Sequence, residues 1–158
     1  MTSSSLISGH AWPYNVLSRA HEPGQKPTRE RVIQMVLEAN TNAASVTTST
    51  LGAPGYGLLG LTASPTEYQQ LTGQAWVRPP QPAANPIIAA DATQYRIAEA
   101  NRIHRGEWDQ YNLLLQTDTI IRNQLLAAAD DVYWRALFQP IVGYGQRSAR
   151  DFIHHIVT

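Results

Sequence analysis

The residues with the clearest chemical spacing are Gly55-Tyr56-Gly57-Leu58-Leu59-Gly60, which match the G-x-G-x-x-G of a dinucleotide-binding turn. That chemistry needs a strand before the first glycine, a helix opening directly after the last, and an acid about 20 residues on to hold the ribose. Upstream lies the polar run NAASVTTSTLGAP, whose Pro54 removes a ladder donor. Downstream the next helix start waits until Ser64, and the acid's place falls in the uncharged run PPQPAANP. The motif therefore predicts a flexible, mostly apolar loop and no bound nucleotide. Five His invite a metal reading, but His154 and His155 point about 100° apart on a helix, unlike an i, i+4 ligand pair. His104 and Glu107 stand i, i+3 without the second Glu-x-x-His that a di-iron bundle needs. Asp130 and Asp131 also diverge, and pair more naturally with Arg135 one turn on. Cysteine is absent, which excludes disulfides, thiol catalysis and Cys-ligated metal sites. No G-x-S-x-G elbow and no G-K-[ST] loop is present. The expectation is a protein that is not an enzyme, with no catalytic residue, metal, cofactor or small-molecule substrate.

Binding is the remaining class. Twelve basic and twelve acidic residues cancel, so no global field draws in nucleic acid or an anionic membrane. Eleven of the twelve cations are Arg, the cation suited to interfaces and phosphate. Arg102 and Arg105, spaced i, i+3, and Arg147 with Arg150 at the last helix start are the candidate phosphate contacts, with RNA the candidate ligand. Acids interleave with them at Glu99, Glu107, Asp109 and Asp151. Trp12, Tyr14, Tyr56, Leu58, Leu59 and Trp76 fall in Pro- and Gly-rich segments that form no core alone, so they are the candidate assembly contacts. Tyr56 to Leu59 are expected on an exposed turn.

These residues must be positioned by helices. Thr28 caps a first helix over 28–40, with Val32, Ile33, Met35, Val36 and Leu37 at apolar spacing. Ser64 to Glu67 is a capping box for 65–72, with Pro65 first and Gly73 at the end. Four prolines make 78–90 an extended connector. Asp91 with Gln94 opens a long helix over 92–116, and Thr117 or Asp118 caps another that runs toward Pro140. After the break VGYG, Ser148 with Asp151 opens the last helix. The fold class is all-α: a small bundle of four to five helices over 28–158, with an extended N-terminal arm over 1–27. That arm carries apolar groups without a period, so it is expected to pack on a neighbouring subunit. The start MTSSSLISGHAWP has no basic region and no long apolar run, and no stretch approaches 18 apolar residues. A soluble protein of the cytoplasm or of a virion-like particle, without a membrane, is expected.

The run VLEANTNAASVTTSTLGAPGYGLLGLTASPTEYQQLTG resembles the Gag-like, capsid-type proteins of copia-type retrotransposons of algae and other protists, or a virus coat protein derived from them. The matching pieces, in order, are Asn42 to Val46, Gly57 to Leu61, Ser64 to Tyr68, Leu71 to Gly73, Trp108 to Tyr111, Leu125 to Leu137 and Ser148 to Ile156. The likeness spans about residues 28 to 157. It departs in the glycine turn, where members often carry His and this chain has Tyr56 and Leu58, and it lacks a Cys-His zinc knuckle. The resemblance implies a self-assembling coat subunit, a large homo-oligomer with RNA as a candidate cargo. A monomeric helical adaptor derived from such a domain is the alternative.

Overall fold

Each helix begins where a hydroxyl accepts a backbone N–H that the first turn leaves unpaired. In the computed structural model, which describes residues 13–48 and 50–158, Thr28 caps α1 (Arg29–Ala44) and Ser64 caps α2 (Pro65–Thr72). Thr93 caps α3 (Gln94–Ala128) and Ser148 caps α4 (Ala149–Val157). Asp151 completes a capping box at α4 by accepting the Ser148 N–H at 2.9 Å. Three short 3-10 turns link the helices, at Leu59–Leu61, Asp131–Tyr133 and Arg135–Leu137. No strand forms among the described residues.

The bundle packs α1, α3 and α4 together. Met35, Ala39 and Ala43 lie one turn apart on α1 and meet Ile121, Leu125 and Ala128 of α3 with Phe152 and Ile153 of α4. Trp134, fully buried, enters from the 3-10 linker and lies 4.9 Å from the Phe152 ring. The expected all-α class is what forms.

Three expectations are corrected. The cap of α3 is Thr93 and not Asp91, because its hydroxyl reaches the Arg96 N–H at 3.2 Å. No break occurs at Thr117 and Asp118: α3 runs through them for 35 residues. The Thr117 hydroxyl donates back to the Leu113 carbonyl at 2.8 Å, within its own helix. Asp118 is a cap for a different helix, since its Oδ1 accepts the Ala149 N–H of α4 at 2.8 Å while Oδ2 faces Arg78 at 3.3 Å. Finally, helix does not continue toward Pro140 but stops at Ala128, where the N-terminal arm takes over the helix end.

That arm does not wait for a neighbour, at least from Pro13 onward. Leu17, Ala20 and His21 are buried in the main core of the chain itself. The Ala20 N–H donates to the Ala128 carbonyl at 2.8 Å, and Arg19 reaches Ala127 and Asp130. His21 Nε2 accepts the Asp130 N–H at 3.0 Å, which leaves the ring proton on Nδ1, beside the Glu22 carbonyl. The Asn15 carbonyl accepts from both Asn42 of α1 and Gln124 of α3, so the arm ties the two helices together. These contacts close the carbonyl end of α3 that would otherwise stay unpaired.

From 94 to 113, α3 buries no residue; its buried positions begin at Leu114. That free stretch is about 30 Å long. The proline connector lies along one side, with the Ala83 carbonyl 2.6 Å from His104 Nε2 and 3.1 Å from Trp108 Nε1.

Asp118→Ala leaves the Ala149 N–H buried without an acceptor, so it should lower stability by roughly 1–3 kcal/mol in urea denaturation. Asp118→Asn keeps an acceptor and should lose less. A second expectation concerns Glu38, where burial pushes the carboxyl up. The Ser18 N–H, helped by Gln34 and the Ser18 hydroxyl, outweighs that and holds it below the ordinary value of 4.5. Its stabilisation is therefore present above pH 4.5 and lost as pH falls through the lower folded value. Glu38→Gln should flatten the acid limb of a stability profile measured below pH 4.5.

Candidate functional site

The glycine turn is set by what it must pass between. The Leu58 N–H bonds to the Ala43 carbonyl at 3.0 Å, so the turn crosses the C-terminal end of α1. Gly57, at φ +50°, lies so close there that a Cβ would collide with the Ala44 and Val46 carbonyls. Gly60 lies flat against the Trp76 indole, where a Cβ would overlap the ring. The G-x-G-x-x-G spacing thus records two close approaches in a packed turn, where a flexible loop was expected, and forms no phosphate cradle ahead of a long helix.

Leu58 and Leu59 are adjacent, and they turn to opposite sides into two neighbouring satellite cores. Leu58 joins Val46, Leu61 and Leu114, with Tyr14 and Trp76 at the margin. Leu59 joins Ala53, Ala63 and Tyr68, with Tyr56 and Trp76 at the margin. Tyr68, buried, accepts the Ala53 N–H at 2.8 Å and meets Trp76 edge to face at 5.5 Å. The exposed-turn expectation is overturned for both leucines, because two small cores inside the subunit bury what one could not. Tyr14, Tyr56 and Trp76 remain half-buried beside them, with the Tyr14 hydroxyl donating to the Ser45 carbonyl at 2.7 Å. Trp12 lies outside the described residues.

The four candidate phosphate contacts do not form one site. Arg102 is held by Glu99 through Nε at 3.0 Å and Nη2 at 2.5 Å. Those hydrogen bonds hold the Glu99 carboxyl low and the Arg102 guanidinium high. Arg105 is exposed, about 60° around α3 from Arg102, and meets no partner among the described residues. Arg147 Nε donates to the Leu137 carbonyl at 3.0 Å, fastening the 3-10 linker to the start of α4. Arg150 donates to the Thr62 carbonyl at 2.5 Å, fastening α4 to the segment after the glycine turn. Burial lowers the Arg150 guanidinium, against an upward push from Glu67 and Asp151. Arg147 and Arg150 act as internal ties of the fold, which leaves Arg105 as the one of the four without a partner among the described residues. No group of three His, Asp or Glu gathers around a common point among the described residues.

Sequence reasoning missed where the apolar surface would lie. Phe138, Ile141 and Val142 stand exposed on a tip closed by the Gln139 and Gly143 backbones, which bond both ways at 2.9 and 2.7 Å. At its apex the Val142 N–H bonds to the Pro140 carbonyl at 3.0 Å, a γ-turn centred on Ile141 at φ +79°. A β-branched residue at that φ is strained, and its side chain is fully exposed, at 104%. The signal was in QPIVG, a Pro-to-Gly turn with two β-branched residues where turns carry polar ones. A second surface is a groove between α1 and α4, lined by Ile33, Val36, Leu37, Ile153 and Val157. Five apolar residues within six positions of α1 exceed one helical face, so Ile33 and Leu37 must look outward. A third lies beside the free stretch of α3, where Ile87 is 97% exposed near Ile103.

These features define an all-α bundle with preformed apolar surfaces. Compared with known proteins, the chain matches no family model, no curated protein and no solved structure. No helix among the described residues is long and apolar enough to cross a membrane.

Gly57→Ala should cost about 1–3 kcal/mol of stability from backbone strain alone, and more once the carbonyl clash is relieved by movement. Gly106, inside α3 with open space where a Cβ would go, gives the contrast. Gly106→Ala should stabilise by about 0.5–1 kcal/mol, and both changes are read by thermal denaturation.

Proposed function

We propose that the chain is a self-assembling structural subunit, a coat or capsid protein of the Gag-like kind, working in the cytoplasm or within a virion-like particle. One observation carries the reading: large apolar side chains stand exposed on rigid elements at more than one face. The tip and the groove adjoin α4, whereas Ile103 lies 15 residues along α3 from Asp118, the residue that meets α4, or about 22 Å away. A protein that captures one partner needs one such face; a subunit that builds a shell needs several, so that growth continues past a dimer. The zero net charge supports the same reading, because copies approach without mutual repulsion.

RNA packaging is a weaker part of the proposal, because Arg102 is neutralised by Glu99 and Arg147 and Arg150 serve the fold. Cargo contact rests on Arg105. The adaptor alternative draws on the arm, which completes the core within one copy and makes the monomer self-sufficient.

Mass decides between the two readings. Light scattering across a concentration series should give particles far heavier than the 17.5 kDa chain. A mass fixed at 17.5 kDa at every concentration would assign the adaptor role instead.

A further inference from the structure

We propose that the Ile141 tip of one copy seats in the α1–α4 groove of a second copy, joining subunits head to tail. This rests on the assembly reading and names the contact that performs it. The tip is an apolar knob held rigidly outward: Ile141 at the γ-turn apex, Phe138 and Val142 beside it, and a paired backbone below. The γ-turn holds Ile141 at a φ that costs a β-branched residue free energy, and no neighbour among the described residues covers its side chain. The groove is the complementary shape, with exposed Ile33, Leu37 and Val157 as walls.

A copy inserting its tip brings an apolar side chain to the apolar part of the groove, which Glu67 and Arg150 border.

The same copy cannot make this contact with itself. Phe152 and His155 face the tip side of α4, through the Tyr144 ring at 5.6 Å and the Tyr133 carbonyl at 2.9 Å. Arg150, Ile153 and Val157 face the groove. Helical geometry puts these sets on opposite flanks, so α4 stands between tip and groove. A contact between two different patches is heterologous, and each added copy leaves one tip and one groove open. It closes into rings or continues as a helical filament.

The natural absence of cysteine permits a clean test. Ile141→Cys and Leu37→Cys copies, mixed under mild oxidation, should form an interchain disulfide dimer far more readily than either variant alone. Ile141→Gly supplies the independent arm. It removes the knob and relieves the positive φ, so its unfolding temperature should match or exceed wild type while self-association weakens roughly ten- to a hundredfold. If wild type assembles but the mixed cysteines do not cross-link above the single variants, the contact is wrong while assembly stands. Ile141→Gly assembling as wild type does would overturn it in the same way. A wild-type chain that remains monomeric at every concentration removes the assembly reading along with the contact.

Discussion

The carboxylate of Asp118 is the point on which the architecture depends. It sits inside α3, buried, and accepts the first backbone N–H of α4 while facing Arg78 at the head of the proline connector. A negative group at a helix N-terminus satisfies an otherwise orphaned donor and matches the helix dipole. Through this one side chain a helix of 9 residues, too short to hold itself, is fixed in direction against one of 35. The orientation of α4 then decides what its two flanks carry: on one the linker with Trp134 and the exposed tip, on the other the groove shared with α1. Arg147 and Arg150 extend the same logic, since both join the N-terminal end of α4 to carbonyls of neighbouring segments.

The N-terminal arm solves the opposite problem, the carbonyl end of α3. A helix that stops in the middle of a core exposes acceptors that burial would leave unpaired. Ala20 and Arg19 provide donors to the Ala128 and Ala127 carbonyls there, and His21 accepts the Asp130 N–H, so these groups stay paired as the chain turns into the 3-10 linker. The glycine turn shows a third constraint, that of space. Gly57 and Gly60 let the backbone approach the end of α1 and the face of Trp76, and Leu58 and Leu59 divide between two small cores as a result. A dinucleotide motif and a close-packed crossing can share the same spacing because both need backbone where a Cβ would not fit.

For the structural subunit proposed above, the division of surfaces matters more than any single group. Among the described residues the small cores take in Leu58 and Leu59 and partly cover Tyr14, Tyr56 and Trp76, while large apolar groups stay exposed on helix faces, on the connector at Ile87 and on one strained tip. Rigid display of such groups lowers the ordering cost of association, because little has to be fixed when a partner arrives. The free half of α3 fits the same scheme, with a solvated outer face and the connector along the other.

Much of the fold could be read from local chemistry. Hydroxyls at Thr28, Ser64 and Ser148 mark helix starts, and Gly73 marks a stop, because caps depend on groups within a few residues. Helical periodicity likewise foretold the all-α class, since apolar spacing reflects the face a helix buries. Tertiary structure alone decided which acid caps which helix: Thr117-Asp118 has the composition of a start, and only the proximity of Ala149 turns Asp118 into the cap of α4. The same holds for the candidate site. Sequence could name Arg147, Arg150, Leu58 and Leu59 as unusual, but their partners are carbonyls and side chains distant in the chain, and burial is a property of neighbours. By itself the sequence determined the helix starts at Thr28, Ser64 and Ser148 and the need for small residues at the turn, because those follow from local sterics and hydrogen bonding. The packing of distant segments determined which apolar groups remained outside, because only the assembled bundle shows what it has left uncovered.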